Sequence, residues 1–337
     1  MAHQIKSDND VKLLDPSEVK EYKEQLELVK KEVKKAVIGQ EVVIDLIIKA
    51  ILANGSILVE GVPGVAKTLI IKAISSVMGC KFARIQFTPD LLPTDIVGVT
   101  TYEKERGFYV LKGPIFANFV LADEINRAPP KVQSALLEGM QEKQATIGKE
   151  TFPLPLPFFV MATENPLEQM GTYPLPEAQI DRFLFKINVG FPSIEDEFLI
   201  LDNNATTKKF ESFRLKPILS PDKIIRLQEA IGRVYASDKI KKYVVRLVDA
   251  TRNPSNYDLK LGKYIEWGAS PRASIGLYVA AKADAFMNGR NFVTPQNVKS
   301  IAREVLNHRI FLNYEGESES IKAYDIIDEM LAKIPIS

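Results

Sequence analysis

Residues 56–68, SILVEGVPGVAKT, decide the fold that this sequence can adopt. Ile57, Leu58 and Val59 form a short apolar run typical of a buried strand, and the glycine-bearing segment 61–64 ends it. Lys67 and Thr68 then open a stretch with helical periodicity. A strand, a glycine-bearing loop and a helix N-terminus in this order present backbone N–H groups to an anion, and the Lys-Thr pair suits a nucleoside triphosphate. The stretch therefore predicts an α/β fold built around a phosphate-binding loop.

The expected contacts of this loop follow from the chemistry of a triphosphate. Lys67 should reach the β- and γ-phosphates, and the Thr68 hydroxyl should ligate Mg²⁺. The residue before the lysine, usually glycine, is Ala66; alanine fits if its φ is helical, since only a positive φ demands glycine. A chance turn between a strand and a helix is the alternative interpretation. The predicted nucleotide-binding residues of the loop are Gly61, Val62, Pro63, Gly64, Val65, Ala66, Lys67, Thr68 and Leu69.

A break between two predicted helices, at residues 37–40, precedes the loop. Ile38 and Gly39 in this break could hold the adenine base through apolar contacts and backbone edges. A plain helix–helix turn is the alternative, and the residues themselves do not separate the two.

Acidic and amide side chains follow two further apolar strands. Asp123 and Glu124 come directly after a strand predicted at residues 118–122, where Asp123 would hold Mg²⁺ and Glu124 would polarise the attacking water. A solvent-facing acid pair is the alternative, but it is less expected downstream of a phosphate loop. Asn165 follows the strand at residues 158–162 and could orient the same water; an asparagine turn before Pro166 is its alternative.

Two arginines are candidates for contacts with phosphate. Arg182, in a short helix predicted at residues 176–183, could pair with Asp181 or Glu177 in its own chain, or reach the γ-phosphate of a neighbouring subunit. Arg272 lies in the first turn of a predicted helix, where a cation is favoured only if an anion binds there too. An exposed arginine is the plain alternative for this residue.

Composition excludes several classes of protein. The chain has 337 residues, 46% hydrophobic and 26% charged, as is ordinary for a folded soluble protein with more than one domain. A net charge of +1 gives no overall attraction to nucleic acid or membranes, and no apolar stretch is long enough to span a bilayer. Cys80, the single cysteine, cannot form an intramolecular disulfide, so we expect a cytoplasmic protein in which Cys80 is buried. We expect His3 and His308 at the surface.

The remaining pattern divides the chain into three parts. Residues 1–16 are expected to be a flexible N-terminal segment, residues 17–205 a nucleotide-binding α/β core, and residues 206–337 a helical lid domain without strands. Two β-hairpins are expected in the core, at residues 97–112 and 145–156, the first with a polar, projecting tip. The predicted fold is thus a parallel sheet flanked by helices, with two hairpin insertions and an all-helical C-terminal domain.

The order of these motifs resembles that of the AAA+ ATPases, and within them the MoxR family, over residues 37–307. GVPGVAKT (61–68) resembles the Walker A motif, in which alanine at position 66 is a familiar variant, VLADEINRAPP (120–130) resembles Walker B, and ATENP (162–166) resembles the sensor 1 segment. PEAQIDRF (176–183) resembles the arginine-finger segment, with Arg182 as the finger, and GASPRA (268–273) resembles sensor 2, with Arg272 as the sensor. The two hairpins fit the helix-2 insert and the hairpin before sensor 1.

The resemblance implies ATP hydrolysis with Mg²⁺, assembly into a ring, usually a hexamer, and chaperone-like remodelling or maturation of protein complexes. It also implies a partner with a von Willebrand factor A-type domain, with Arg182 serving the neighbouring subunit's site. Arg272 would sense phosphate from the lid, in its own chain or across the seam. A nucleic-acid motor and a slow, nucleotide-gated assembly factor stay open as alternatives, although the near-zero net charge argues against the motor.

Overall fold

A five-stranded parallel sheet lies at the centre of the protein. The computed structural model describes residues 14–105, 107–166, 171–204 and 209–336. The sheet strands are β1 (Ile57–Gly61), β2 (Phe82–Gln86), β5 (Phe119–Asp123), β8 (Phe159–Glu164) and β9 (Phe185–Val189). Their order across the sheet is β2–β5–β8–β1–β9, and each neighbouring pair is parallel. The carboxyl ends of all five strands therefore lie at one edge of the sheet.

Both faces of this sheet are buried, which explains the continuous apolar runs in the strands. Ile57 and Val59 face one hydrophobic cluster, whereas Leu58 between them faces a second. The first cluster includes side chains from α1 (Pro16–Val33), α2 (Glu41–Leu52) and α3 (Lys67–Val77). The second includes side chains from α4 (Pro93–Val97) and α5 (Pro130–Glu142). The predicted α/β layering is confirmed.

Two antiparallel hairpins extend from the core, as the sequence predicted. The first pairs β3 (Gly98–Glu103) with β4 (Gly107–Lys112), and the second pairs β6 (Gln144–Ile147) with β7 (Glu150–Pro153). The tip of the first was expected to be polar, but an exposed aromatic pair flanks it: the ring centroids of Tyr102 and Phe108 lie 5.1 Å apart. Arg106, within the predicted turn, lies outside the described residues.

The C-terminal part is mainly helical and packs on the same side of the sheet as α2. Its helices are α8 (Pro221–Gly232), α9 (Asp238–Arg252), α10 (Pro271–Met287), α11 (Pro295–Leu306), α12 (Tyr314–Ser318) and α13 (Ala323–Lys333). The expectation of no strands here is wrong in one respect, because β10 (Ile265–Trp267) pairs with β11 (Phe311–Leu312). Two short helices of the core, α6 (Glu177–Ile180) and α7 (Ile194–Asn204), flank β9.

The expected domain boundaries fall only partly within the residues that the structure describes. Residues 205–208, where the core was expected to give way to the lid, lie outside them, as do residues 1–13. Leu14 is buried and the Asp15 side chain accepts a hydrogen bond from the Ser17 N–H at the start of α1. Leu14 and Asp15 therefore belong to the ordered part of the chain, although both fall within the segment that was expected to be flexible. Within the described ranges, none of the helices combines the length and apolar character needed to cross a bilayer.

Candidate active site

The phosphate-binding loop lies between the end of β1 and the start of α3. Gly61 packs so closely against β9 that a Cβ there would approach the Val189 carbonyl oxygen to 2.7 Å. Gly64 has a φ of +89°, a backbone conformation that glycine adopts without strain. Ala66 has a φ of +60° and a ψ of 21°. The assumption that alanine fits because its φ is helical is therefore wrong: Ala66 adopts the left-handed conformation itself.

Lys67 lies at the first position of α3 with its amine turned toward the loop. Its Nζ donates a hydrogen bond to the Gly61 carbonyl oxygen at 2.5 Å. Burial lowers the pKa of Lys67, and the nearby carboxylates of Asp123 and Glu124 oppose that shift. A partly desolvated ammonium that faces two carboxylates is well suited to bind a polyanion.

The two acids follow the central strand β5, and Thr163 of β8 connects them. Asp123 is buried, and its Oδ1 accepts a hydrogen bond from the Thr163 hydroxyl at 2.7 Å. The same hydroxyl oxygen accepts the Glu124 N–H at 2.9 Å, where Glu124 turns out of the strand with a φ of +57°. Thr163 thus uses its donor and an acceptor position to fix both acidic residues.

Strand β2 contributes two residues that the sequence interpretation missed. The Arg84 Nε and Nη2 atoms donate to Asp123 Oδ2 at 3.0 and 2.6 Å. Gln86 Nε2 donates to Glu124 Oε2 at 2.8 Å, and Arg127 donates to the same oxygen at 2.9 Å. Arg84 and Gln86 are the polar residues that alternate with apolar ones in a short strand, and this alternation was the only sign of them in the sequence. Their contacts with Asp123 and Glu124 depend on the pairing of β2 with β5, which the sequence does not reveal.

The phosphate-binding loop, Arg84 and the two acids line one cleft of about 480 Å³, large enough for a small-molecule ligand. Lys67, Thr68, Asp123, Glu124 and Asn165 all contribute to its wall, as the sequence predicted. Asn165 is buried at the carboxyl end of β8. The carboxyl ends of three parallel strands and the N-terminus of α3 therefore converge, as expected for ligand sites in open α/β sheets.

The cleft offers oxygen donors that fit Mg²⁺. The Thr68 hydroxyl and the Asp123 carboxylate share its wall, and both are hard ligands of the kind that Mg²⁺ prefers. No group of three His, Cys, Asp or Glu side chains suited to a metal occurs among the described residues. This donor set suits an ion that takes one or two protein ligands together with phosphate oxygens and water.

The break at residues 37–40 lies at the same edge of the sheet. Gln40 Nε2 donates to the Gly190 carbonyl oxygen at 3.3 Å, one residue beyond Val189, which pairs with Gly61. Gly39 has a φ of +73°, and a Cβ there would approach the Asp196 side chain to 2.6 Å. This placement is compatible with the adenine contact predicted for Ile38 and Gly39.

Arg182 and Arg272 lie elsewhere, at the amino edge of the sheet. The Leu184 N–H, just before β9, donates to the Ser56 carbonyl oxygen, just before β1. Ser56, Arg182 and Arg272 line a separate cleft of about 540 Å³. A five-residue strand separates this edge from the phosphate loop by roughly 15 Å. The two arginines therefore share a site with each other but not with Lys67 of the same chain.

Asp181, rather than Arg182, makes the ion pairs in this second cleft. Its carboxylate accepts Arg309 Nε at 2.7 Å and the Ser270 hydroxyl at 2.8 Å, and Arg272 Nη1 lies 3.7 Å away. Arg182 instead points its Nη1 at the Leu137 carbonyl oxygen, 3.5 Å away. The alternative in which Arg182 pairs with Asp181 is not what the chain adopts.

His308 and Cys80 both differ from expectation. His308 is buried, with Nε2 3.1 Å from the Phe183 carbonyl oxygen, so its expected surface position is wrong. Burial and the neighbouring Arg309 hold the pKa of His308 well below its ordinary value. Cys80 is only half-buried, although burial still raises the pKa of its thiol to about 12. His3 lies outside the described residues.

Comparisons with known proteins assign the chain to a family. A model of the ATPase family associated with various cellular activities (AAA) matches residues 56–185, and an AAA lid domain model matches residues 261–330. The chain is 47% identical to Chaperone MoxR1 of Mycobacterium tuberculosis over 307 residues, which are 90% of this chain and 80% of that protein. The chain belongs to the MoxR family of AAA+ ATPases.

Further relatives agree with this assignment. Protein MoxR of Paracoccus denitrificans is 31% identical, over 89% of this chain and 93% of that protein. The crystal structure of a protein assigned as an ATPase, from Cytophaga hutchinsonii, superposes with a TM-score of 0.89 at 47% identity. The superposition covers 95% of this chain and 97% of that one. An MCM homologue from Methanopyrus kandleri, 16% identical over 95% of this chain and 62% of its own, superposes with a TM-score of 0.57, which shows a shared fold alone. This MoxR-family chain is an ATPase.

Proposed function

We propose that this MoxR-family ATPase forms a ring, requires Mg²⁺, and uses ATP hydrolysis for chaperone-like remodelling or maturation of protein complexes. The observation that carries the proposal is the separation of the candidate site into two halves. Lys67 and Glu124 lie at the carboxyl edge of the sheet, whereas Arg182 and Arg272 lie at the amino edge. A head-to-tail contact between copies would bring the two halves together, and such contacts generate rings when they close. The relative named a chaperone supports the remodelling role.

Within one chain, the carboxyl-edge residues would bind and position ATP. Lys67 would exchange the Gly61 carbonyl for β- and γ-phosphate oxygens, and the loop N–H groups would bind the remaining charge. Glu124 would polarise the attacking water while Asn165 orients it. Ile38 and Gly39 would contact the adenine base.

Thr68 and Asp123 are the residues that would hold Mg²⁺. When bound, the ion neutralises phosphate charge and orients the triphosphate. Arg84 compensates the charge of Asp123 in the structure and would give up this role to the metal.

Arg182 and Arg272 would act on the ATP of the next subunit. Guanidinium groups stabilise the charge that develops on the transferred phosphoryl group, and removal of such an arginine typically costs on the order of a thousandfold or more in rate. Since Arg272 lies beside Arg182 and away from its own phosphate loop, the arrangement favours the trans alternative for both.

A partner protein would receive the motion of the ring through the first hairpin. Tyr102 and Phe108 are exposed at its tip, and exposed aromatic side chains are typical of binding surfaces. We propose a protein with a von Willebrand factor A-type domain as this partner, a hexamer as the ring, and the cytoplasm as the location, because cells supply ATP there.

Mixing two inactive variants tests the shared site. Lys67→Ala removes the phosphate contact and Arg182→Ala removes the finger, so each protein alone should be inactive. In an equimolar mixture, half of the chains keep the loop and half of their neighbours keep the finger, so about a quarter of wild-type activity should return. No recovery at any ratio, in samples shown by sedimentation to co-assemble, would contradict a shared site.

The Glu124→Gln variant tests the proposed base and provides a trap for partners. It should bind ATP as tightly as the wild type but lack turnover, because the amide cannot polarise water. Normal hydrolysis by this variant would rule out Glu124 as the base. Locked with ATP, the same variant should retain the partner in a pull-down. Stimulation of the wild-type ATPase by DNA instead of by that partner would favour a nucleic-acid motor.

A further inference from the structure

Helix α7 carries an exposed apolar stripe. Phe191, Ile194, Phe198 and Leu201 are 75%, 81%, 68% and 63% exposed, and the last three fall on one face of the helix. No residue between 194 and 202 is buried. A helix in a globular protein owes most of its stability to an apolar face packed on a neighbour. Among the residues that the structure describes, none supplies such a covering surface for this face of α7.

The same helix is strongly acidic. Its sequence, IEDEFLILDNN, contains four carboxylates and neither lysine nor arginine. The acids are Glu195, Asp196, Glu197 and Asp202. The surface that covers the stripe should therefore be apolar with a basic border.

A groove along α10 has these properties. Two clefts of about 540 and 490 Å³ share Ala53, Asn54 and Val279, and so form one continuous α10 groove. Ile275, an exposed isoleucine, lies in the first cleft, and Tyr278 lies in the second. The groove therefore offers apolar side chains in both of its clefts.

The border of the first cleft is basic. Four cationic side chains and one carboxylate line it: Lys143, Arg182, Arg272, Arg309 and Asp181. Burial lowers the pKa of Lys143 only to about 8, so this side chain still carries most of its charge at neutral pH. The cationic excess complements the acidic flanks of α7.

The stripe and the groove lie at opposite edges of the sheet. Helix α7 follows β9, whose last residue, Val189, pairs with Gly61 of the phosphate loop, and Asp196 packs against Gly39. The groove contains Arg272 and Arg182 at the other edge. A contact that brings these arginines to a neighbour's phosphate loop also brings the groove toward that neighbour's α7.

We propose that α7 of one subunit docks its stripe in the α10 groove of the next copy of this chain. This inference rests on the proposed shared ATP site and specifies the surface that joins the copies. The contact is heterologous, because the stripe and the groove are different surfaces, and it can repeat around a ring.

Cross-linking between single-cysteine variants tests the contact. Cys80→Ser removes the native thiol, and Phe198→Cys and Ile275→Cys are then placed in separate chains and mixed with ATP and a short bismaleimide. We expect a cross-linked dimer only in the mixture, and none when Val245→Cys, an exposed position on α9, replaces Ile275→Cys.

The alternative results separate the two proposals. Sedimentation showing oligomers without the cross-link would overturn the docking of α7 and leave the shared ATP site standing. Wild-type protein that remains monomeric with ATP would overturn both. Protection of the Phe198→Cys thiol from maleimide in the monomer, relieved by deletion of residues 1–13, would instead assign the stripe to the protein's own N-terminus and overturn the docking.

A matched pair of charge substitutions provides the second test. Phe198→Glu should raise the concentration needed for assembly by about tenfold or more, because an ionised carboxylate would enter an apolar contact, while monomer melting stays unchanged. Phe108→Glu, the same change at the exposed hairpin tip, should assemble like the wild type. Wild-type assembly of Phe198→Glu would overturn the proposal.

Discussion

Thr163 shows how one buried hydroxyl can control two acidic residues. It donates to Asp123 and accepts from the Glu124 N–H, and its side chain has no contact with solvent. Valine has nearly the same shape but offers neither a donor nor an acceptor. Any effect of that substitution therefore reports on the hydroxyl itself.

Thr163→Val should lower stability by about 1–3 kcal/mol, because the Glu124 N–H and the Asp123 oxygen lose a buried partner. It should also lower kcat about 10–100-fold, since misplaced acids still bind but position the metal and water poorly. Denaturant unfolding and ATPase kinetics measure the two effects. Thr163→Ser, which keeps the hydroxyl, should behave like the wild type; an equal loss in Thr163→Ser would contradict the proposed role.

The strained backbone at Ala66 gives a second prediction at this scale. A left-handed conformation costs a non-glycine residue about 1–2 kcal/mol, and part of this is offset because glycine is freer in the unfolded chain. Ala66→Gly should therefore stabilise the protein by roughly 0.5–1 kcal/mol in denaturant unfolding. Ala73→Gly, inside α3, should destabilise it by about 1–2 kcal/mol, because helix propensity falls and a buried methyl group is lost. A loss of stability in both variants would show that Ala66 is not strained.

The joint between lid and core is the central feature at the scale of elements. Arg309, three residues beyond the end of α11, is buried. It donates hydrogen bonds to Asp181 and to the carbonyl oxygens of Phe183, Leu184 and Val305. Burial lowers the pKa of Arg309, and Asp181 opposes this shift. The lid is thus fastened to the core beside Arg272, at the edge where a neighbour's ATP is proposed to bind.

Asp181→Asn should lower the free energy of unfolding by about 3 kcal/mol, because it leaves the buried Arg309 charge without its counter-ion. Glu177→Gln, an exposed acid on α6, serves as the matched control and should change stability by no more than about 0.5 kcal/mol. Urea unfolding of both variants measures the difference. Equal midpoints would mean that the Asp181–Arg309 pair contributes nothing to the joint.

His308 should make the same joint sensitive to acid. Since its pKa is depressed in the folded state, the unfolded chain binds the extra proton first, and stability falls as the pH drops below the ordinary value of 6.5. Between pH 7.5 and 5.5, the wild type should lose about 1.4 kcal/mol more than His308→Gln. Denaturant unfolding at the two pH values measures this loss. A similar loss in both proteins would assign the acid sensitivity to other groups.

Local signals made most of the elements predictable, and non-local contacts explain what was missed. The phosphate loop and the acid pair each lie in a continuous stretch, so spacing alone revealed them. Arg84 and Gln86 gain meaning only from the pairing of β2 with β5, and the burial of His308 depends on Phe183, far away in the sequence. The φ of Ala66 follows from closure of the loop rather than from the residue type.

At the scale of the whole molecule, the polarity of the sheet orders the chemistry. All five strands of the central sheet run in one direction, and the proposed ATP-binding residues and the two arginines lie at opposite edges of that sheet. One chain therefore presents the phosphate loop at the carboxyl edge of its sheet and the two arginines at the amino edge. Copies that meet through these edges would complete one ATP site at each contact, which makes turnover a property of the assembly.

Dilution should therefore lower the ATPase activity of each chain. As copies separate, every site loses its neighbour's Arg182, and the rate per chain should fall by on the order of a thousandfold, in step with dissociation. ATP binding should persist, because Lys67 and the loop belong to the same chain. Activity per chain and the sedimentation profile are measured together from micromolar to nanomolar protein, with a fluorescent ATP analogue reporting binding. A constant rate per chain at concentrations where the copies are separate would mean that each chain completes its own site, and neither arginine could then act across a contact.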